Sequence, residues 1–270
     1  MGITILDGKI LYDLQDVSYA YEEGRPVLDG ISLTIDIGEK VVLLGANGSG
    51  KSTLQRILDG LIFPQQGTVR FAGKELTEEN LEDEDFFLAF RRRVGFVFQN
   101  SEAQLFNPSV REELAFGPLQ LGLSAAEVNA RVDSLLELFE LEDLADRPPH
   151  KLSGGERKKV ALGAVLASNP EVLILDEPTA GLDPRSQRWL VEMLVKLNQA
   201  GKTIITATHD LAIVPVIADR VFVLGEDHRL AGEGSPLEVL ADRELLLRVN
   251  LIDEAFHEHH HQGYFHLHAH

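Results

Sequence analysis

The stretch GANGSGKS, residues 45–52, has the residue types and spacing of a loop that binds phosphate groups. The apolar run EKVVLLG precedes it and a helical pattern follows it, which is the context that such a loop needs. Glycines let the backbone wrap so that its N–H groups face phosphate oxygens at a helix N-terminus. We therefore expect Lys51 to contact the β- and γ-phosphates of a nucleotide, and the Ser52 hydroxyl to bind Mg²⁺. The other predicted nucleotide contacts in this stretch are Gly45, Asn47, Gly48, Gly50 and Thr53.

Two adjacent acids end a second apolar run, VLILDE. A carboxylate at the end of a buried strand is the usual metal anchor beside a phosphate loop, so Asp176 is the predicted Mg²⁺ ligand. Glu177 follows at once and could polarise a water molecule for attack on the γ-phosphate. Taken alone, the two acids could instead cap a helix. Beside a phosphate loop, they predict nucleotide hydrolysis.

A third candidate site is LSGGE, residues 152–156, which precedes the helical pattern RKKVALGAVLA. Ser153, Gly154 and Gly155 would place a hydroxyl and bare backbone N–H groups at the positive end of that helix. The pattern predicts a second anion-binding surface, although a Ser-Gly-Gly start alone is most often a simple helix cap.

The elements that must position these residues alternate between strands and helices. KILYDLQDV and GISLTIDI predict strands at a sheet edge, and EKVVLLG, PEVLILDEP, KTIITATHD and DRVFVLG predict buried strands. Helices between buried strands indicate a parallel sheet covered on both faces. The acidic segment ELTEENLEDEDFF is expected on a solvated loop or short helix. SAAEVNARVDSLLELFEL predicts an amphipathic helix with a Ser124–Glu127 capping box, and a short helical stretch is expected after Ser235.

The composition excludes several classes of protein. The net charge is −18, from 43 acidic and 25 basic residues, so the surface repels phosphate backbones and we expect no nucleic-acid partner. The absence of cysteine excludes disulfides and thiolate metal sites. No apolar run reaches the roughly 18 residues of a membrane helix, and MGITILDGKI does not predict a signal peptide.

Six motifs in one order resemble the ATPase subunits of ABC transporters over residues from about 10 to 235. They are GANGSGKS, the glutamine of FVFQN, LSGGE, LILDE, AGLD and THD. The resemblance implies an α/β fold, a P-loop ABC ATPase with a mainly parallel core sheet, an antiparallel β-subdomain and an inserted helical signature subdomain at about 100–170. A C-terminal helical extension at 236–256 and a histidine-rich tail at 257–270 would follow the ATPase domain.

The resemblance also implies roles for single residues. Tyr21 corresponds to the aromatic residue that stacks on adenine, with Tyr19 as a second candidate. Gln99 corresponds to the residue that senses Mg²⁺ and the attacking water. Asp183 lies where family members communicate across a dimer, and His209 matches the histidine that contacts the γ-phosphate. Alone, each could be an ordinary edge-strand or loop residue. Glu156 departs from the pattern, because glutamine is commoner there.

The family's architecture implies that the phosphate loop of one subunit and the LSGGE of another enclose each ATP, with Mg²⁺ as cofactor. Catalysis would then require a pair of ATPase subunits. One complete set of motifs makes a homodimer sufficient.

Residues 99–124 resemble energy-coupling-factor importers, particularly the cobalt and nickel branch. The resemblance implies a groove for a transmembrane coupling subunit, a substrate-binding membrane subunit as second partner, and a peripheral position on the cytoplasmic face of the cell membrane. The expected groove residues are the apolar Leu105, Phe106 and Val110 and the polar Arg111, Glu112 and Glu113. Packing within the helical subdomain is the alternative for each residue.

The last fourteen residues, HEHHHQGYFHLHAH, hold most of the chain's ten histidines. Neutral imidazoles suit Ni²⁺, Co²⁺, Cu²⁺ and Zn²⁺, so the tail is a candidate metal-binding segment, expected to be flexible and to bind loosely. An expression tag and a low-complexity end without a role are the alternatives. The candidate ligands are His257, His259, His260, His261, His266, His268 and His270.

Three other functions stay open at this point. An energy-coupling-factor ATPase could serve a vitamin importer, because its cargo is chosen by a separate membrane subunit. A soluble ABC protein could act on DNA or ribosomes, although no basic patch or long insert indicates it. A non-enzymatic metal store is disfavoured by the complete set of Lys51, Asp176, Glu177 and His209.

Overall fold

The computed structural model describes residues 9–253, except for the side chains of residues 101 and 102. In the tail it also describes the backbone of two strands. The strands up to residue 253 are β1 (Ile10–Glu22), β2 (Arg25–Asp36), β3 (Lys40–Leu44), β4 (Gln66–Phe71), β5 (Lys74–Glu75), β6 (Val94–Val97), β7 (Val172–Asp176), β8 (Thr203–Thr208), β9 (Arg220–Leu224) and β10 (Leu230–Gly234). The helices are α1 (Lys51–Leu58), α2 (Glu78–Glu82), α3 (Glu84–Arg93), α4 (Val110–Gln120), α5 (Ala125–Phe139), α6 (Gly154–Ala167), α7 (Pro184–Gln199), α8 (Val214–Ile217), α9 (Pro236–Ala241) and α10 (Arg243–Arg248).

The strands up to residue 253 form two sheets, as the fold class predicted. A core sheet has the order β10-β9-β3-β8-β7-β6, parallel except for β10, and an antiparallel sheet has the order β2-β1-β4-β5. Every residue of β7 and β8 is buried, because helices or the second sheet cover both faces of the core sheet. The mainly parallel core and the antiparallel sheet confirm the predicted fold.

The register of the core sheet brings the candidate catalytic segments to one edge. Leu44 pairs with Thr208, and Asp176 pairs with Ala207, so β3, β7 and β8 end side by side. The phosphate loop follows β3, Glu177 follows β7 and His209 follows β8. The carboxyl ends of parallel strands are where α/β folds bind ligands.

Two apolar cores lie on opposite faces of the core sheet. Val42 and Leu44 of β3 pack with the helices α4 to α7, whereas Val41 and Leu43 pack with α1, α3 and the antiparallel sheet. This division follows from the alternation of side chains along a strand. No helix in the described part of the chain is both long and apolar enough to cross a membrane.

The local predictions for the helices hold in most cases. The Ser124–Glu127 capping box begins α5, and Val128, Val132 and Phe139 are buried along one face. Helices α9 and α10 follow Ser235. The acidic segment forms two helices, and α3 buries two phenylalanines, Phe86 and Phe90, so it is more than a solvated surface.

The tail contains two strands, β11 (His257–His261) and β12 (Tyr264–His268), which pair antiparallel. The imidazoles of the tail and the whole of His270 lie outside the residues whose side chains are described.

Candidate active site

The phosphate loop wraps around its own lysine. Gly48 and Gly50 have φ values of +86° and +104°, which favour glycine. A Cβ at Gly50 would lie 2.4 Å from the carbonyl oxygen of Val27, so no larger residue fits there. Lys51 Nζ donates to the carbonyls of Gly45 at 2.7 Å and Ala46 at 3.0 Å. The loop therefore holds a buried ammonium group at the N-terminus of α1, where phosphate groups bind.

Asp176 and Ser52 meet at the start of α1. The Ser52 hydroxyl donates a hydrogen bond to the Asp176 carboxylate, and burial raises the pKa of that carboxyl despite this bond. Asp176 is 6% exposed, and its Oδ1 has no hydrogen-bond partner among the described residues. A buried carboxylate oxygen without a partner, next to a hydroxyl, is a donor set that fits Mg²⁺.

Glu177 lies at the centre of a polar cluster. Its Oε1 is 2.8 Å from His209 Nδ1 and 3.7 Å from Lys51 Nζ, and its Oε2 accepts a hydrogen bond from the Thr208 hydroxyl. Its backbone has a φ of +41°, a strained conformation that costs a non-glycine residue about 1–3 kcal/mol. Such strain persists where the surrounding contacts fix a functional side chain. The carboxylate is therefore held in one position beside the phosphate loop.

The same cluster affects the charge on Lys51. Burial lowers the pKa of the Lys51 ammonium, whereas Glu177 and Asp176 raise it. The two carboxylates thus favour the charged form of the lysine, which is the form that binds phosphate.

An open cleft of about 580 Å³ borders Glu177 and His209. Thr179, Gly181 and Leu211 contribute to its walls. The cleft is large enough for water to approach the Glu177 carboxylate, and a general base requires such access.

The LSGGE segment caps α6. Glu156 accepts a hydrogen bond from the Ser153 backbone N–H at 2.7 Å, while Ser153 Oγ accepts from the Glu156 N–H at 3.3 Å. The hydrogen bonds from the Ser153 backbone and hydroxyl lower the pKa of Glu156. This capping box gives the glutamate a structural role at the position where glutamine is commoner.

The two signature glycines have different surroundings. A Cβ at Gly154 would meet nothing within 4 Å, so its backbone is open to an approaching ligand. A Cβ at Gly155 would lie 2.6 Å from Ser186 Oγ, which belongs to α7. Asp183 caps α7 by accepting hydrogen bonds from Arg185, from the Ser186 backbone and from the Ser186 hydroxyl. The signature and the AGLD loop are therefore in contact within one subunit.

Two further predicted residues lie at the edge of the site. The Tyr21 hydroxyl is 3.4 Å from Thr53 Oγ1 and accepts a hydrogen bond from Arg56, and the Tyr21 side chain is 52% exposed. Its ring packs edge-on against Tyr19, with centroids 5.0 Å apart. Gln99 is exposed, and the contact described for it is made by its backbone carbonyl, which accepts from Lys158 Nζ.

Sequence reasoning missed Lys158. This lysine of α6 is 3% exposed and donates to the backbone carbonyls of Phe98 and Gln99 at 3.4 and 3.3 Å. It connects the signature helix directly to the glutamine segment. The sequence spacing could have predicted its burial. Lys158 lies four positions before the buried Leu162, and residues four apart share one face of a helix.

The expected groove for a membrane partner needs correction. Val110 is fully buried, and Glu113 is 3% exposed because its carboxylate accepts the backbone N–H groups of Phe106 and Asn107. Both residues hold the helical subdomain together and are not available to a partner. Phe106 remains 67% exposed and packs edge-on against the exposed Phe116.

The family model described as ABC transporter matches residues 28–180, more than half of the 270-residue chain. The chain belongs to the ABC transporter family. As an ABC ATPase it binds and hydrolyses ATP, which is the chemistry that the phosphate loop and the Glu177 cluster support.

Two similar curated proteins are named as ATP-binding proteins of transport systems. The chain is 52% identical to the nickel import ATP-binding protein NikO of Rhodobacter capsulatus, over 89% of this chain and 95% of NikO. It is 43% identical to the energy-coupling factor transporter ATP-binding protein EcfA of Methanothermobacter thermautotrophicus, over 89% of this chain and 76% of EcfA.

Solved structures confirm the fold. CbiO1 of Clostridium perfringens, part of the ABC transporter complex CbiONQ, is 39% identical, with a TM-score of 0.77 over 90% of this chain and 96% of CbiO1. The ATP-binding cassette MJ0796, solved as a dimer bound to ADP and Pi, is 29% identical, with a TM-score of 0.75 over 84% of this chain and 99% of the cassette.

Proposed function

We propose that this ABC ATPase is the ATP-hydrolysing subunit of an importer for a transition-metal cation, nickel or cobalt. The similarity to NikO carries the proposal, since 52% identity extends over nearly the whole of a protein named for nickel import. The resemblance of residues 99–124 to the cobalt and nickel branch supports the same cargo. The complete catalytic cluster supports ATP hydrolysis as the energy source.

We assign the steps of hydrolysis to the residues of the cluster. The loop N–H groups and Lys51 bind the β- and γ-phosphates. Ser52 and Asp176 would hold Mg²⁺, with Gln99 as a further ligand, and the ion would supply charge neutralisation at the phosphates. Glu177 accepts a proton from the attacking water, and His209 keeps the carboxylate oriented through the 2.8 Å contact and faces the γ-phosphate.

We propose that two copies of the chain form the working unit, each supplying half of each nucleotide site. Within one subunit the signature contacts α7, whereas the phosphate loop contacts β2 and α1. The open backbone at Gly154, beside Ser153 and Gly155, is the anion-binding surface that would close over the partner's γ-phosphate. The dimer of the similar cassette MJ0796 supports this arrangement. Asp183 lies next to the signature and would communicate between the two nucleotide sites of the dimer. Tyr21 would stack on adenine.

We further propose a peripheral position on the cytoplasmic face of the cell membrane, bound to a transmembrane coupling subunit beside a substrate-binding subunit. The exposed Phe106 and Phe116 rings offer the apolar contact for the coupling subunit. The proposed domains are the ATPase at 10–235, with its helical subdomain at about 100–170, and the extension at 236–256.

The test is the metal content of the native host carrying Glu177→Gln, measured by elemental analysis. A matched control is Glu171→Gln, because Glu171 is 58% exposed in its side chain and pairs with Arg93 at the other end of β7. We expect Glu177→Gln to lower ATP turnover by about 10²–10⁴-fold. Nickel or cobalt content should fall to that of a deletion strain, while Glu171→Gln keeps wild-type content.

A vitamin importer is the second candidate, because the similarity to EcfA supports an energy-coupling-factor transporter without naming its cargo. It would be supported if Glu177→Gln abolished ATP turnover while the nickel and cobalt contents stayed at wild-type values. Uptake of labelled vitamins by the same strains would then identify the cargo.

A further inference from the structure

Gln55 is a buried polar residue of α1 that lies outside the phosphate loop and outside the Glu177 cluster. Its side chain is 0% exposed, and its helical neighbours Leu54 and Leu58 belong to the apolar core on this face of the core sheet. Its Nε2 donates a hydrogen bond to the backbone carbonyl of Leu175 at 2.8 Å, whereas its Oε1 has no hydrogen-bond partner among the described residues. A buried amide with an unpaired oxygen costs free energy that an apolar side chain would not. What Gln55 adds to this core is therefore its hydrogen bond to Leu175.

This hydrogen bond lies next to the proposed Mg²⁺ ligands. Leu175 directly precedes Asp176 in β7, and Gln55 lies three positions after Ser52 in α1. Residues three apart are neighbours on one face of a helix. The Ser52 hydroxyl bonds the Asp176 carboxylate, and the Gln55 amide bonds the Leu175 carbonyl. One face of α1 is thus attached to two consecutive residues of β7.

Two attachments fix the position of α1 along β7 more firmly than one. Three residues of a helix rise about 4.5 Å, and one residue of a strand rises about 3.3 Å, so the two hydrogen bonds are made at separate points along both elements. Hydrogen bonds to a carbonyl weaken beyond about 3.2 Å, so the bond at 2.8 Å tolerates little sliding of the helix. Sliding of α1 would change the separation between Ser52 and Asp176.

We propose that Gln55 is a positioning residue for Mg²⁺, which keeps Ser52 of α1 and Asp176 of β7 at the separation that the ion needs. The proposal rests on the proposed assignment of Mg²⁺ to Ser52 and Asp176, and it is independent of the transported cargo. Gln55 acts through the placement of α1 and not by coordinating the ion. Replacing a group that holds metal ligands in place typically weakens metal affinity by about 10–100-fold.

The experiment measures binding of a fluorescent ATP analogue to the full-length protein, first in a titration with Mg²⁺ and then in EDTA. Gln55→Met removes the amide while keeping a side chain of similar length. We expect it to raise the Mg²⁺ concentration for half-maximal nucleotide binding by about tenfold. Nucleotide affinity in EDTA should stay within about twofold of the wild type, because the loop N–H groups and Lys51 are unchanged.

Thr206→Val is the matched control. Thr206 pairs with Leu175 in the core sheet, is 0% exposed, and has a hydroxyl without a hydrogen-bond partner among the described residues. The variant therefore removes a buried polar group beside the same residue of β7 and leaves the attachment of α1 intact. We expect its Mg²⁺ dependence to equal that of the wild type.

Three outcomes would overturn the positioning role of Gln55. The first is an unchanged Mg²⁺ dependence in Gln55→Met. The second is an equal loss of nucleotide affinity with and without Mg²⁺, which would indicate a general disturbance of the phosphate loop. The third is an equal shift in Thr206→Val. Urea unfolding checks that each variant folds, and Gln55→Leu, which also lacks the donor, is the second variant and should show the same shift.

Asp176→Asn separates this role from the assignment of Mg²⁺ itself. We expect Asp176→Asn to raise the required Mg²⁺ concentration more than Gln55→Met does, because it alters a proposed ligand. A wild-type Mg²⁺ dependence in Asp176→Asn would refute the proposed metal site and the role of Gln55 with it. A large shift in Asp176→Asn, together with wild-type behaviour of both Gln55 variants, would refute the role of Gln55 alone.

Discussion

The contact between Lys158 and the glutamine segment predicts that one substitution will leave the fold at least as stable and will impair the enzyme. Lys158 is 3% exposed, and burial lowers the pKa of its ammonium from 10.5 to about 8, although Asp176 opposes this shift. No carboxylate is within salt-bridge distance of Lys158 in the described part of the chain, where its hydrogen bonds go to two backbone carbonyls. Lys158 is thus a buried charge, and we infer that its role is to hold the glutamine segment in position.

The magnitude follows from the pKa difference. A lowering of the Lys158 pKa from 10.5 to about 8 corresponds to about 3 kcal/mol of destabilisation when the lysine is charged. Between pH 8 and 10.5 the unfolded chain binds more protons at this residue than the folded chain, so stability rises with pH through that window. Below pH 8 the full destabilisation is present.

Lys158→Met removes the charge while keeping a side chain of similar length. At pH 7 we expect the free energy of unfolding to stay equal or to rise by up to about 3 kcal/mol, since each lost hydrogen bond to a carbonyl costs about 1 kcal/mol. The advantage over the wild type should shrink towards pH 10.5. ATP turnover should fall about 10- to 100-fold, because the backbone of Gln99 loses its support and small displacements of catalytic groups have effects of that size.

Urea unfolding at pH 7, 8.5 and 10, together with steady-state phosphate release at pH 7.5, measures both effects. Lys159→Met is the control, because Lys159 bonds the carbonyl of Phe139 from the same helix without touching the glutamine segment. A stability difference that does not vary with pH would refute the burial argument. Normal turnover in Lys158→Met would refute the positioning role.

Two other predictions concern a buried acid and a helix cap. Burial raises the pKa of Asp59 from 3.8 to about 6 despite its bond to Arg91, so the folded state binds the proton more tightly, and stability should fall by about 3 kcal/mol as pH rises from 4 to 6. Urea unfolding across this range should show that Asp59→Asn removes the decrease, and an unchanged slope would contradict the assignment. Ser153→Ala and Ser124→Ala remove equivalent capping boxes and should each cost about 0.5–2 kcal/mol. Only Ser153→Ala should lower ATP turnover, and equal turnover in the two variants would remove Ser153 from the anion-binding surface.

The sequence predicts the fold well where one pattern determines one structure. The strand before GANGSGKS and the strand ending in Asp176 are continuous apolar runs, which favour strands buried in a covered parallel sheet. Their order along the chain then brings the phosphate loop, Glu177 and His209 to one edge of the sheet. The capping residues Ser124 and Ser153 are also visible in the sequence, because a cap depends only on residues three positions apart.

The sequence cannot predict features that depend on distant packing. Glu177 has a positive φ, and its carboxylate contacts Thr208 and His209, which lie more than 30 positions away along the chain. Glu113 looks like a surface acid of an exposed helix, but the chain folds back so that two N–H groups of the preceding loop satisfy its carboxylate. Burial of a charged residue is predictable only when its partners are known.

The signature segment shows why one helix start can serve both the fold and the reaction. Ser153 and Glu156 satisfy backbone N–H groups at the start of α6, as the capping box of α5 does with Ser124 and Glu127. The start of α6 differs from that of α5 in the two glycines that follow Ser153. Gly154 leaves its backbone open, and Gly155 allows α7 to contact the start of α6. The carboxylate of Glu156 is turned back onto the Ser153 N–H, and this hydrogen bond stabilises its charged form. A glutamate can therefore stand where glutamine is commoner, since its carboxylate accepts the capping bond from Ser153 and the backbone of Gly154 remains open to phosphate.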